Sequence, residues 1–268
     1  GVYGAATGKD GLALLHSTDG GVTFRQYPLP EGKERYPETG PQQHPGLEER
    51  VNEIEVFSGH NLTAGPPPVV RYLRRHRDPD NTWRKYGDLH LLLPRKTSAG
   101  IEWAEPVLLS RKSLGMSSHS GMPSTVVSCG SKVHVIWGEA TAPESDIRSG
   151  VPAYAATYDR ETMRLSKPVL VGTGRPANDL HNTPSITIDS RGYLHALTGA
   201  HGSQFYYARS LEPNDTAAGF TEPAEVRKCL SQTYIGLVCG PDDTLHLAFR
   251  EWRSHTEYFP KATVAVLA

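Results

Sequence analysis

The chain has 268 residues, with 28 basic and 29 acidic side chains and a net charge of −1, so a bulk electrostatic draw to nucleic acid or an anionic membrane is excluded. No run of 18 apolar residues occurs, which excludes a bilayer-spanning helix in the sequence. The 26 glycines and 21 prolines are spread along the whole length, as many short strands joined by turns require.

In chain order, the first signal is Ser17-Thr18-Asp19-Gly20-Gly21-Val22-Thr23-Phe24, which fits the Asp-box pattern S-x-D-x-G-x-x-[WF]. Its Ser and Asp side chains can bond the backbone of a tight turn, its glycines permit positive φ, and its aromatic is expected to plug the blade. Next come PPPVVRYL (66–73) and YGDLHLLLP (86–94), two apolar strand-like runs. The basic cluster RYLRRHR (71–77), which overlaps the first run and leads into the insert after it, reads as a solvated loop rather than a polyanion site. Ser98-Ala99-Gly100-Ile101-Glu102-Trp103 is a degraded Asp box without its Asp.

Three later segments align without gaps: MPSTVVSCGSKVHVIWG (122–138), TPSITIDSRGYLHALTG (183–199) and YIGLVCGPDDTLHLAFR (234–250). Each is an apolar β-branched run, a polar turn and a second apolar run around a His. His134, His195 and His246 occupy one position, 61 and 51 residues apart, with His90 a weaker copy 44 before His134. A period of about 40–60 residues with several strands per unit predicts an all-β fold, a β-propeller of four-stranded blades. The units are a partial blade near 1–30, then 50–110, 111–172, 175–225 and 228–268, one propeller domain over 1–268. Four to five blades are fewer than a ring usually needs, so the expectation is an incomplete propeller. Any secretory leader is expected to have been removed before Gly1.

Cys129 and Cys239 fall in apolar runs and are expected as buried free thiols; with Cys229 they show no CxxC spacing. The triplets Asn61-Leu62-Thr63 and Asn214-Asp215-Thr216 arise too readily by chance to assign a compartment.

Polar residues at the ends of inner strands converge on a propeller's axis. The repeat alignment places His181 and Tyr234 before corresponding first strands, and His201 and Arg250 after the second ones. Repeated histidines read as packing and hydrogen-bonding residues; His181 and His201 belong to one blade only and are better functional candidates. Arg250, at an inner strand end, suits an anion.

At HNTPSITIDSRGYLHALTGAH (181–201) and TYIGLVCGPDDTLHLAFREW (233–252) the sequence resembles the BNR-repeat propellers that include the ulvan lyases. Histidines 20 apart and a Tyr 16 before an Arg sharpen the likeness. The resemblance implies a seven-bladed fold and maps His181, His201, Tyr234 and Arg250 onto catalytic positions; Asn182, Tyr207, Trp252 and His119 are candidate substrate contacts. The implied chemistry is β-elimination on a uronic-acid polysaccharide. Arg250 neutralises the carboxylate, His181 and Tyr234 share the base and acid roles in either order, and His201 orients substrate. No cofactor or catalytic metal is expected; a structural metal is left open, since Cys229, Cys239 and His255 lack compact ligand spacing. The expected partner is an anionic polysaccharide, met by a secreted or periplasmic monomer, with neither nucleic acid nor membrane involved. Two other readings are a sialidase-like hydrolase, with Arg71, Arg209 and Arg250 around a carboxylate, and a non-catalytic carbohydrate-binding propeller.

Overall fold

The computed structural model describes residues 2–8, 11–30, 55–57, 63, 65–77, 85–115, 124–141, 150–175, 177–199, 203–226, 231–252 and 262–267. All regular structure among them is strand, arranged in five antiparallel sheets and one separate hairpin. The first sheet is the meander β1 (Val2–Gly8), β2 (Gly11–Ser17) and β3 (Arg25–Pro28). The second has β4 (Glu55–Phe57), β5 (Val69–Arg77), β6 (Lys85–Leu92) and β9 (Val107–Ser113). Between β6 and β9 the chain makes the hairpin β7 (Pro94–Thr97) and β8 (Gly100–Trp103).

The third sheet orders β10 (Val126–Cys129), β11 (Lys132–Gly138), β12 (Val151–Asp159) and β13 (Arg164–Leu165), with β14 (Val169–Gly174) also on β12. The fourth orders β15 (Ser185–Ile188), β16 (Leu194–Thr198), β17 (Tyr206–Arg209) and β18 (Ala224–Glu225). The fifth is β19 (Ser231–Cys239), β20 (Leu245–Trp252) and β21 (Ala262–Leu267). The sheets thus hold three to five strands, not four throughout, because β13 and β14 share β12 while the first and fifth show three among the described residues.

The apolar runs of the repeat do not alternate with polar residues, because each inner sheet is covered on both faces. In β11, Val133, Val135 and Trp137 pack toward Val70, Tyr72 and Leu91 of the second sheet. Its intervening Ile136, with Val127 of β10, packs on Ile186, Leu194 and Ala196 of the fourth. Leu197 then joins Phe205, Ile235 and Leu237 against the fifth. Successive side chains on one strand therefore fill two different interfaces, and face-to-face stacking of consecutive sheets follows.

The first strands of successive sheets also lie side by side. Ile186 N–H donates to Ser124 O (2.6 Å) and Ser124 Oγ to Ile186 O (2.7 Å). Leu237 N–H donates to Ser185 Oγ (3.2 Å) and Cys239 N–H to Thr187 Oγ1 (3.1 Å). Small hydroxyl residues thus satisfy edges that would otherwise expose unpaired backbone. Stacked antiparallel sheets whose first strands share an axis are propeller blades.

Three local expectations need correction. Residues 71–77 are not a solvated loop but part of β5, with Arg71 only 1% exposed and its Nη1 donating to Pro30 O at 2.8 Å. Phe24 does not plug a blade: it is 44% exposed, whereas Trp103, in the degraded copy, packs beside Leu29, Val69 and Leu92 and donates Nε1–H to Pro28 O at 2.9 Å. Cys129 is only partly buried, at the edge of an inter-sheet core, whereas Cys239 is buried and burial raises its thiol pKa. The turn at Ser17–Phe24 is closed by Asp19 accepting from Val22 N–H and Thr23 N–H, and by Ser17 Oγ accepting from Gly21 N–H at 2.8 Å.

Candidate functional site

Before β15, the segment Asn178–Asn182 folds on its own side chains. Asp179 Oδ1 accepts from His181 N–H (2.9 Å) and from His181 Nδ1 (2.5 Å). Asp179 O accepts from Asn182 N–H (3.0 Å) and Asn182 Nδ2 (3.1 Å). This is an Asx-type turn, in which a short acidic side chain substitutes for backbone acceptors. Asn178, at φ 52°, ties the turn to the previous blade: Thr141 N–H donates to its Oδ1 (2.7 Å) and its Nδ2 to Thr141 O (2.9 Å). Gly174 of β14 lies so close that a Cβ there would overlap Asn182 Oδ1. The His181 backbone is therefore held by two blades.

With Nδ1–H donated to a carboxylate, the tautomer that places the lone pair on Nε2 is favoured. The side chains of His181 and Asp179 are 10% and 15% exposed, nearly enclosed yet reachable.

Tyr234 arrives from the next blade by a different device. The β19–β20 register pairs Thr233 with Arg250 and Gly236 with Ala248, so the ladder is interrupted at Tyr234 and Ile235. Tyr234 adopts φ 61°, a left-handed conformation unusual for an aromatic residue and of the kind that persists where the surroundings over-determine it. Ile235 is the buried anchor, packing in the core with Phe205 and Phe249. The Tyr234 ring comes to 5.5 Å from the His181 ring, centroid to centroid, at an interplanar angle of 44°. A bulge thus re-aims a side chain toward a neighbouring blade.

The backbone of Arg250 pairs with Thr233, next to Tyr234, and that of Trp252 pairs with Ser231; their side chains lie outside the described residues. His201, His119, Cys229 and His255 also lie outside them. Asn182 is 4% exposed and engaged in the Asp179 turn. Tyr207 is directed elsewhere: its hydroxyl bonds His195 Nδ1 at 2.7 Å, and His195 Nε2 lies 3.3 Å from Asp189 Oδ2 in the β15–β16 turn. That turn is at the end of the hairpin remote from His181.

Two of the repeated histidines, His134 and His195, are internal fasteners. His134 is fully buried, with Nδ1 at 2.8 Å from Thr157 Oγ1 and Nε2 at 2.8 Å from Asn214 Oδ1. Burial lowers its pKa to about 4, and burial likewise lowers that of His195 against the opposing pull of Asp189. Asn214 belongs to one of the glycosylation triplets, and its Thr216 is fully buried, bonded to Thr157 Oγ1; in the folded state this triplet is a structural lock. Asn61 lies outside the described residues. Arg209 stacks over Tyr193 at 4.5 Å and Arg71 is buried in β5. Among the described residues no group of three metal-ligating side chains converges.

Asp179 and the bulge at Tyr234 are features of the site that the repeat pattern does not point to. The first had a signal in Asp179-Leu180-His181, an Asp two residues before a His; the second depends on cross-strand register and had none.

Residues 151–261 match the family described as BNR repeat-containing family member, a span that includes His181, Tyr234 and Arg250. No curated protein matches the chain. Among solved structures, an ulvan lyase of a polysaccharide lyase family is 17% identical over 57% of this chain and 38% of its own, with a TM-score of 0.40. The NanB sialidase of Streptococcus pneumoniae is 10% identical over 91% of this chain and 33% of its own, TM-score 0.48. The α-L-arabinanase of Penicillium chrysogenum is 11% identical over 97% and 79%, TM-score 0.43. The chain thus spans 38% of the ulvan lyase's length.

Proposed function

We propose that the protein is a polysaccharide lyase that cleaves a uronic-acid-containing, ulvan-like polysaccharide by β-elimination at a site between the fourth and fifth sheets. The observation that carries this reading is the approach of His181 and Tyr234 from adjacent blades, 5.5 Å between ring centroids. A nitrogen base and a phenol at that spacing can address two substituents of one sugar ring.

Arg250, one register position from Tyr234 on the paired strand, pairs with the uronate carboxylate and makes the C5 proton more acidic. His181 removes that proton through Nε2, a role favoured by the Asp179 bond at Nδ1. The C5–H electrons form the C4=C5 double bond, the C4–O4 bond breaks, and Tyr234 donates its hydroxyl proton to O4. Balance is restored when the proton on His181 returns to the tyrosinate through solvent. His201 orients the substrate, with Asn182 supporting His181 and Trp252 and His119 contacting further sugars. A polymer of this kind is met outside the cytoplasm, so the protein acts secreted or in the periplasm.

A sialidase-like site would gather three arginines on one carboxylate. Burial of Arg71 and stacking of Arg209 on Tyr193 give that reading no support. The test is ultraviolet absorbance of the 4,5-unsaturated uronate on a panel of uronic-acid polysaccharides that includes ulvan. Growth of absorbance that Arg250→Ala abolishes is expected. Reducing ends without absorbance would overturn elimination in favour of hydrolysis, and saturable binding without turnover would make the protein a binder.

A further inference from the structure

Away from His181, the first sheet and the β7–β8 hairpin enclose an open groove of about 350 Å³, toward the lower end of the range for small-molecule clefts. Its floor is built by register. Tyr3 pairs with His16 across β1–β2, and His16 with Arg25 across β2–β3, so the three stand in one row on one face. Tyr27, two residues on, continues that face. The Tyr3 and His16 rings are stacked at 4.5 Å with an 8° tilt, and the Arg25 guanidinium lies 5.1 Å from the Tyr27 ring centroid.

The opposite wall carries Lys96. It approaches closely because Gly100, at φ 138°, presents no Cβ where one would stand 2.7 Å from a Tyr27 ring carbon. Arg25 and Lys96 are both exposed, and among the described residues no carboxylate lines the groove; the nearby Asp19 is taken up by its own turn.

Flat aromatic rings, two cations and hydroxyl groups in one open groove match an acidic sugar. The ring's apolar C–H face lies on an aromatic, and its carboxylate or sulfate meets Arg or Lys. We infer that this groove is a second binding site for an anionic oligosaccharide, separate from the His181–Tyr234 site. The choice of a sugar over other anions rests on the polysaccharide reading above. Such a site would hold the polymer while another stretch is processed, raising the effective concentration of substrate.

The test uses full-length protein carrying Tyr234→Phe, titrated by calorimetry with tetragalacturonate, cellotetraose and AMP. Tetragalacturonate is expected to bind best. Arg25→Gln with Lys96→Gln should weaken it about tenfold, while Arg250→Ala leaves this binding event in place. Both charges are exposed, so equal melting temperatures are expected to exclude misfolding as the cause; if the pair is destabilised, Lys96→Gln alone gives the reading. Binding that survives loss of both charges, is lost only with Arg250→Ala, or is absent altogether would overturn the inference. So would equal affinity for cellotetraose or tighter binding of AMP. Absorbance of wild-type protein with polymer reports elimination separately, so failure of one claim leaves the other readable.

Discussion

His134 and His181 are the same residue type in the same kind of blade, and their surroundings show what each is for. His134 spends Nδ1 on Thr157 and Nε2 on Asn214, inside the core. His181 gives Nδ1 to Asp179 at a strand end and turns its ring toward Tyr234 of the next blade. His134 supplies a satisfied polar group inside an apolar stack. His181 stands instead at a strand end, beside a ring from the next blade.

The largest effect that sharpens this contrast is on turnover. Tyr234→Phe removes the proposed proton donor and should lower kcat by about 10²–10⁴-fold, with the melting temperature nearly unchanged. A near-normal rate in the absorbance assay would remove Tyr234 from the chemistry.

The second effect is on stability. Because the folded pKa of His134 lies at about 4, below the unfolded value near 6.5, the unfolded chain binds the proton first. Stability is full above about pH 6.5 and falls as pH drops toward 4, by roughly 3 kcal/mol in total. Urea denaturation across that range should show a shallower acid loss in His134→Gln, together with lower stability at neutral pH because Thr157 and Asn214 lose a partner. An identical acid slope in the variant would show that His134 is not the titrating group.

Asp179→Asn comes third. It keeps an acceptor for the His181 backbone but loses the charge at Nδ1, so about a 10–100-fold loss of kcat is expected, with KM little changed. Loss of stability with an unchanged kcat in the folded protein would make Asp179 merely structural. The smallest effect is that of Gly174→Ala: crowding Asn182 should cost roughly 1–3 kcal/mol, read as a lower urea midpoint. No change would mean that the Asn178–Asn182 segment is less firmly held than its bonds indicate.

The fold was legible because stacking on both faces writes largely apolar runs around one histidine, such as Val133–Trp137 and Leu194–Thr198, into the sequence, and three copies align without a gap. The axial hydroxyls Ser124, Ser185 and Thr187 were visible as residues but not as cross-blade donors and acceptors, since that requires the neighbouring strand. For the site, strand-end position picked out His181 and Tyr234 and the structure brings their rings together. Tyr207 shared the same neighbourhood in sequence, yet its hydroxyl turns to His195, because strand position fixes a face and not the direction in which a long side chain leans. The burial of Arg71 was hidden for a similar reason: a run of basic residues looks solvated until one of them finds a carbonyl such as Pro30 O.

The central claim is that His181 works on substrate while His134 holds the blades, and the most direct measurement takes His181→Ala and His134→Gln through one absorbance assay and one melting experiment. The account predicts that His181→Ala abolishes formation of unsaturated uronate and melts like wild type, while His134→Gln melts lower and keeps its rate wherever it is folded. Turnover by His181→Ala at the wild-type rate would contradict it.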